Sequence, residues 1–290
     1  MNFVNPLTKK IYRTTEILHK NADNGIVCYG CTDSEHGDCF IKTVNYGTLE
    51  GTEAQKCAKY VAETEAKCLK MLGLDCKGIP TLYDFWDDKK EKRYIIVMEK
   101  MQGVTLRSWM KKRPANSISE KDLRLRCLIV RQTVEIMREI KKKHPAVVHR
   151  DLKPENIMIH LDEKKHWKVY IVDFGCAGLN FVRGVGTAGY HAPEQIWKDT
   201  SVQISTATDI FAIGQILYEL LTGKVPEIGT DYVRLGRNNE WERRPVLPER
   251  IRNLPHGDEV DDLLCNMTAF VPKDRYEYPI IYNILSWRNK

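Results

Sequence analysis

The chain has 290 residues, of which 42% are hydrophobic and 29% are charged, and its formal net charge is +6. This composition is that of a globular protein able to bury a sizeable core in one large domain or two lobes. No segment approaches the roughly 18 consecutive apolar residues of a membrane span, and the N-terminus lacks the basic and then apolar pattern of a secretory signal. We therefore expect no membrane association, no direct nucleic-acid binding, and a location in the cytoplasm or nucleus.

The nine cysteines are scattered, and only Cys28 and Cys31 have C-x-x-C spacing. This pair lacks a second half of a zinc site nearby. An odd number of scattered cysteines favours reduced thiols over a disulfide framework. The cysteines therefore predict neither a metal site nor a secreted protein.

The first predicted elements are short strands between residues 11 and 44. Asn24-Gly25 is a hairpin signal, and the apolar residues that follow are typical of a returning strand. A second apolar run ends in Lys42. A lysine at the end of a strand is ordinarily a solvated edge residue, so any further role for Lys42 depends on motifs later in the chain.

A long helix, a hairpin and a second long helix follow. Residues 52–72 are rich in helix formers and are closed by Gly73. Residues 81–86 and 94–98 have the composition of two strands joined by a charged turn. Residues 123–143 carry apolar side chains at helical spacing.

A polar loop between two apolar runs carries the strongest motif of the chain. Its sequence is His149-Arg150-Asp151-Leu152-Lys153-Pro154-Glu155-Asn156. An aspartate that can accept a hydroxyl proton precedes a lysine by two residues and an asparagine by five. On a tight loop, this spacing turns the three side chains toward one point.

Further motifs follow in order. They are Asp173-Phe174-Gly175 after an apolar strand, the segment from Gly186 to Glu194, an apolar helix opened by residues 208–214, and Pro272-Lys273-Asp274-Arg275. Together with the polar loop they resemble the eukaryotic-type protein kinase domain of the Ser/Thr class over about residues 15–285. The resemblance implies a bilobal α+β fold. A small, mainly antiparallel β lobe with one helix would span residues 1–102, and a larger, mainly helical lobe residues 103–290.

The resemblance implies a phosphoryl-transfer site. Asp151 would orient a substrate hydroxyl and accept its proton, Lys153 would steady the transferred group, and Thr187 would support Asp151. Asn156 and Asp173 would bind Mg²⁺, with Mn²⁺ as an alternative, because hard cations prefer oxygen ligands.

The same resemblance assigns Lys42 to the α- and β-phosphates of ATP. A glutamate of the helix at residues 52–72 would position it. Glu65 is the preferred candidate, because Cys68 and Leu72 would then turn inward on adjacent turns, and Glu63 is the alternative. Near the chain's other end, Arg275 would pair with Glu194.

The nucleotide would contact residues of several elements by the same resemblance, with Met98 as the gatekeeper and the hinge directly after it. The residues implied are Gly25, Val27, Phe40, Lys42, Met98, Glu99, Met101 and Met158. Two features depart from the family pattern. Lys20 and Ala22 stand where glycines normally approach the phosphates, and Phe40 replaces a small alanine facing the adenine.

The loop between Gly175 and Gly186 contains no Ser, Thr or Tyr. Many kinases order this loop by phosphorylating it and pairing the phosphate with the arginine of the catalytic loop, here Arg150. This chain is therefore predicted to be constitutively active, or to be activated when a partner or a second copy packs against the helix of Glu65.

The predicted substrates are Ser and Thr hydroxyls of proteins, since Lys153 replaces the pattern of tyrosine kinases. Glu155 and Glu219 could attract a basic residue of the substrate, whereas Thr105 replaces an acidic residue of basophilic kinases; both preferences stay open. Two other functions also stay open. They are a catalytically weak kinase-fold scaffold, suggested by the missing glycines, and a small-molecule kinase, disfavoured by the intact segment 186–194.

Overall fold

The computed structural model describes residues 1–177, 186–196, 203–225 and 246–287. They divide into two compact units. The first is Met1–Met101 together with Asp173–Gly175, and the second is Gln102–Val172 with Cys176–Lys290. The division lies next to the boundary expected after residue 102. The Asp173-Phe174-Gly175 segment, however, belongs to the first unit, although it lies within residues 103–290, the range predicted for the larger lobe.

The first unit is built on a six-stranded antiparallel sheet with the order β1-β2-β3-β4-β6-β5. Its strands are β1 (Asn2–Val4), β2 (Ile11–Asn21), β3 (Ile26–Asp33), β4 (Gly37–Val44), β5 (Leu82–Asp88) and β6 (Arg93–Glu99). The predicted strands are confirmed with small shifts of their ends. Strand β1 was not predicted, because three residues are too few to show an alternating pattern.

The two faces of this sheet differ in what they carry. One face packs a hydrophobic core of Phe3, Tyr12, Cys31, Cys39, Ile41, Trp86, Ile95 and Val97. Because side chains alternate along a strand, Lys42 points to the other face from its buried neighbour Ile41. The sheet is therefore two-sided, with one face that packs this hydrophobic core and another that bears Lys42.

Helix α1 (Thr52–Leu72) has the predicted bounds. Its buried residues recur at intervals of three and four, which is the spacing of one helix face; they are Ala62, Glu65, Ala66, Cys68, Leu69 and Leu72. Glu65 is thus a charged residue on an otherwise apolar face, and burial of this kind requires a partner.

The second unit is mainly helical. The helices among its described residues are α2 (Leu106–Lys112), α3 (Glu120–Lys143), α4 (Pro193–Ile196), α5 (Thr206–Thr222), α6 (Glu249–Arg252), α7 (Gly257–Met267) and α8 (Tyr278–Ile284). A small antiparallel sheet accompanies them, with the order β7 (Val104–Thr105), β8 (Ile157–Leu161) and β9 (Trp167–Ile171). Helix α3 begins three residues before the predicted start, because Ser119 and Asp122 form a capping box.

Candidate active site

Lys42 lies on β4 and is held by two carboxylates of the first unit. Its Nζ lies 2.8 Å from Glu65 Oε2 and 2.9 Å from Asp173 Oδ1. The Glu65 side chain is 2% exposed, and that of Asp173 is 42% exposed. Glu63, the alternative partner, instead accepts a hydrogen bond from the Tyr94 hydroxyl. The structure thus pairs Lys42 with Glu65.

Burial and charge act in opposite directions on this cluster. Burial works to lower the pKa of Lys42, but the carboxylates of Asp173 and Glu65 outweigh it and raise that pKa above its ordinary value. Burial raises the pKa of Glu65 to about 7, although Lys42 opposes the shift. The ammonium therefore stays charged, while two carboxyl groups share it. A fixed cation of this kind can bind phosphate oxygens.

The register of β3 and β4 decides which side chains share a face with Lys42. Cys28 lies opposite Lys42, whereas Val27 lies opposite Thr43. Directly opposed residues share a face and successive residues alternate, so Val27 points away from the face of Lys42. The side chain of Cys28, and not that of Val27, therefore shares the face of Lys42, so this geometry favours Cys28 over the predicted Val27 as a nucleotide contact. Val27 and Cys28 are adjacent, and a shift of one residue along a strand reverses the face.

Phe40 does share the face of Lys42, two residues earlier on β4. It lies opposite Gly30 on β3 and Met98 on β6. Met98 is buried and Phe40 is half-buried. Two large side chains, Phe40 and Met98, therefore stand side by side on the face that carries the charged cluster.

Gly25 closes the turn between β2 and β3 with φ +67°. Its carbonyl oxygen accepts hydrogen bonds from the backbone N and from Nδ2 of Asn45, both at 2.8 Å. A Cβ at this position would lie 2.6 Å from the Asn45 oxygen. Backbone conformation and packing thus both require a glycine here.

The predicted hinge lies at the end of β6. The Glu99 carboxylate accepts hydrogen bonds from the backbone N and Oγ1 of Thr81, at 3.2 and 3.1 Å. The Glu99 N–H donates to the Thr81 oxygen at 2.9 Å. The Glu99 side chain and backbone thus fix the end of β6 to the residue that precedes β5, close to Met101, where the first unit's N-terminal stretch ends.

The backbone of the polar loop is held by a buried carboxylate of helix α5. Asp209 accepts the N–H groups of His149 and Arg150, both at 2.8 Å. Burial raises the pKa of Asp209, and these hydrogen bonds oppose the shift. Arg150 has φ +69°, and its carbonyl accepts from Gln195 Nε2 at 2.8 Å. Asp209 and Gln195 therefore stabilise a strained loop conformation, a role that sequence reasoning did not assign.

Asp151, Lys153 and Thr187 form a compact network in the second unit. The Thr187 hydroxyl donates to Asp151 Oδ1 at 2.6 Å and accepts from Lys153 Nζ at 2.7 Å. Lys153 Nζ also lies 2.8 Å from Asp151 Oδ2. Asn156 Nδ2 donates to the Asp151 carbonyl oxygen at 2.8 Å and reaches Asp151 Oδ2 at 3.3 Å. The predicted convergence of these side chains is present.

Two further positions of interest lie in the second unit. Gly186 has φ +126°, and a Cβ there would lie 2.8 Å from the Arg150 oxygen, so only glycine lets the segment of Thr187 approach the loop. Met158 lies half-buried on β8, opposite Thr105 and Tyr170. The site can thus orient a hydroxyl group beside a carboxylate with a cation at its side, which is the equipment of general-base catalysis.

Comparison with known families decides between the classes of protein that could use such a site. The family model described as protein kinase domain matches residues 23–284. The chain belongs to the protein kinase family. The α+β fold predicted from the motifs is therefore that of a kinase domain. Kinases of this family generally use ATP and Mg²⁺.

Several curated relatives of this kinase domain are Ser/Thr kinases. A PknB of Mycolicibacterium smegmatis is 32% identical over 197 residues, which is 63% of this chain and 28% of that protein. PrkC of Bacillus subtilis is 30% identical over 212 residues, 70% of this chain and 30% of PrkC. The kinase cds1 of Schizosaccharomyces pombe is 28% identical over 249 residues, 81% of this chain and 49% of cds1. The chain thus spans less than half the length of these relatives.

Within the part of the chain that the structure describes, every helix is too short or too polar to cross a membrane. None of the nine cysteines, all of which lie among the described residues, forms a disulfide. Among the described residues, no group of three or more His, Cys, Asp or Glu side chains could hold a metal ion. The predicted ligands of Mg²⁺, Asn156 and Asp173, are an amide and a carboxylate, which suit a hard cation that keeps several waters.

Proposed function

We propose that the chain is a protein Ser/Thr kinase that depends on ATP and Mg²⁺. The observation that carries this proposal is the network of Asp151, Lys153 and Thr187. Its carboxylate is oriented by a hydroxyl at 2.6 Å and accompanied by an ammonium at 2.8 Å. Ser/Thr kinase relatives support the substrate class.

In this proposal each residue has one task. ATP supplies the phosphoryl group when bound, and Mg²⁺ neutralises its charge. Asp151 orients the substrate hydroxyl and accepts its proton, Lys153 stabilises the negative charge that develops nearby, and Thr187 keeps both side chains in place. Lys42 binds phosphate oxygens and is positioned by Glu65.

The remaining proposed contacts concern the nucleotide and the metal. Asn156 and Asp173 are proposed as Mg²⁺ ligands on the chemistry of their oxygens. The proposed nucleotide contacts follow the family resemblance, with Cys28 replacing Val27; they are Gly25, Cys28, Phe40, Lys42, Met98, Glu99, Met101 and Met158. The side chains of Phe40 and Met98 would then limit the width of the adenine site.

The test is transfer of radiolabelled phosphate from ATP to casein and to a basic protein. Asp151→Asn is expected to lower the rate by about 10²- to 10⁴-fold, the range for loss of a general base. Asp162→Asn is the control, because Asp162 lies in the turn between β8 and β9 and accepts the His166 N–H. Equal transfer by wild type and Asp151→Asn would refute the proposed kinase activity and favour a binding scaffold.

Activity without phosphorylation of the loop between Gly175 and Gly186 is part of the proposal. It rests on the absence of Ser, Thr and Tyr from residues 176–185, most of which lie outside the described residues. Phosphatase treatment followed by mass spectrometry and a transfer assay is expected to leave the activity within about twofold, since no charge on this loop is lost. A stoichiometric phosphate whose removal abolishes transfer would contradict it.

Activation by packing against α1 is the accompanying proposal. A second copy or a partner in this position would stabilise the helix that presents Glu65 to Lys42. Specific activity measured over a hundredfold range of protein concentration is expected to rise if a second copy activates. Constant specific activity, with a monomer in sedimentation, would exclude the second copy.

A further inference from the structure

A charged cluster beside the polar loop of residues 149–156 is centred on Arg107 of helix α2. Its Nε donates to Glu155 Oε1 at 2.7 Å, and its Nη2 donates to the Tyr190 hydroxyl at 2.7 Å. Its Nη1 donates to Glu219 Oε1. Tyr190 in turn donates to Glu219 Oε2 at 2.5 Å. One guanidinium therefore joins two carboxylates and a phenol, all within the second unit.

The cluster adjoins residues proposed to handle the substrate. Glu155 lies in the turn Pro154–Asn156, whose last residue hydrogen-bonds Asp151. Tyr190 follows Thr187 in the same segment, and its N–H donates to the Thr187 oxygen at 3.1 Å. The side chain of Glu155 is 46% exposed and that of Arg107 is 25% exposed, whereas that of Glu219 is 5% exposed. A peptide whose hydroxyl faces Asp151 would thus run close to this charged surface.

Without Arg107, the two glutamates would form an acidic site for a basic side chain of the substrate. With it, both carboxylates are already paired. A guanidinium that meets several acceptors in fixed geometry is held more firmly than a single charged contact. An arginine or lysine of a substrate would have to displace it and leave it without partners. The formal charge of Arg107, Glu155 and Glu219 together is −1, so an acidic substrate side chain gains no attraction either.

We propose that Arg107 acts as an internal ligand of the acidic site formed by Glu155 and Glu219, and that it makes the chain indifferent to basic residues around the phosphoacceptor. This inference rests on the proposed kinase function, and it answers the question of basic specificity that the sequence left open. Arg107 is then a specificity-determining residue. Replacing it would expose the acidic site and create a preference for basic peptides.

The test measures peptide binding, which needs no phosphoryl transfer. A set of fluorescent peptides carries alanine at the acceptor position and a single arginine at each of five positions on either side, in an alanine background. Dissociation constants are measured by fluorescence anisotropy for wild type, Arg107→Ala and Arg107→Met. They are also measured for the double variant that combines Arg107→Ala with Glu219→Gln. Arg107→Met keeps most of the side chain's length and guards against a loss of folding. Arg124→Ala is the matched control, since Arg124 pairs with Glu120 at 2.9 Å along helix α3.

Wild type and Arg124→Ala are expected to bind all arginine peptides within about twofold of the all-alanine peptide. Arg107→Ala and Arg107→Met are expected to bind peptides with arginine at one or two positions about five- to tenfold more tightly, as for a partly desolvated charge pair. Adding Glu219→Gln should reduce this gain.

Three results would overturn the inference. They are a wild type that already prefers an arginine peptide fivefold, folded Arg107 variants without any new preference, and a failure of every variant to bind any peptide. A wild type that binds these peptides with the expected pattern but transfers no phosphate to serine peptides would instead refute the proposed function and leave the role of Arg107 in binding intact.

Discussion

Arg275 and Glu194 form a bidentate ion pair whose two side chains are both fully buried in the second unit. Nη1 lies 2.7 Å from Oε1 and Nη2 lies 2.9 Å from Oε2, and both side chains are 0% exposed. The other N–H groups of Arg275 donate to the carbonyl oxygens of Ala269, Ala207 and Phe270. Every donor of the guanidinium is thus satisfied, which is the condition under which a buried charge is tolerated.

Removing one partner of this pair should destabilise the protein strongly. Glu194→Gln leaves a buried guanidinium without its counter-charge, and we expect a loss of about 3–5 kcal/mol in the free energy of unfolding. The measurement is urea unfolding followed by circular dichroism. Glu139→Gln is the control, because Glu139 pairs with Lys143 at the surface of α3, and we expect it to cost less than about 0.5 kcal/mol. A loss below 1 kcal/mol for Glu194→Gln would show that water reaches the pair.

Elements set by local signals were predictable from the sequence, whereas long-range relationships were not. Helix α1 has the predicted bounds because helix formers and Gly73 mark it locally. The face on which Val27 lies was not predictable, because it depends on the register of β3 with β4. Arg107 contacts Glu155 and Glu219 at separations of 48 and 112 residues. No spacing within one element contains that information, and the motifs that suggested the pair of Arg275 and Glu194 gave no signal for Arg107.

The Thr187 hydroxyl should be needed for the rate of transfer more than for folding. It links Asp151 and Lys153 through hydrogen bonds of 2.6 and 2.7 Å. Because both partners are charged, Thr187→Ala should lower kcat about 10- to 100-fold, and Thr187→Ser should restore it to within about threefold. Thr222→Ala is the control, since the hydrogen bonds of the Thr222 hydroxyl join it to backbone groups of Tyr218 and Lys224 at the end of α5. An unchanged kcat in Thr187→Ala would show that Asp151 is oriented without this hydroxyl.

Thiol reactivity should separate one exposed cysteine of the first unit from two buried ones. Cys57 is exposed on α1, and Cys28 and Cys68 are buried. Burial raises the pKa of Cys28 and of Cys68 to about 11 each, so little thiolate forms at neutral pH. N-ethylmaleimide at pH 7.5 should label Cys57 about 100-fold faster than either, as followed by peptide mass spectrometry. Fast labelling of Cys28 in the Cys57→Ser variant would contradict this prediction. It would show that the reagent reaches the face of Lys42 and that the charge of Lys42 outweighs burial in setting the pKa of the Cys28 thiol.

Glu65 should make the stability of the protein depend on pH in a defined direction. Burial raises its pKa from an ordinary value of 4.5 to about 7, although Lys42 opposes the shift. Lys42 is shared with Asp173, so it compensates the buried Glu65 carboxylate only in part. The folded state then binds this proton more tightly than the unfolded state. Its contribution to stability is complete below pH 4.5 and is lost as the pH rises through about 7.

The midpoint of thermal unfolding, measured over a range of pH, therefore shows which effect on the pKa of Glu65 is larger, burial or attraction to Lys42. The midpoint of wild type minus that of Glu65→Gln should fall as the pH rises from 5 to 8, because glutamine cannot ionise. Glu53→Gln is the control on the same helix, where Glu53 is 87% exposed and pairs with Lys56, and its difference should stay constant. If the difference for Glu65→Gln grew with pH instead, attraction to Lys42 would outweigh burial. The charged pair would then be a source of stability and not only a means of positioning Lys42.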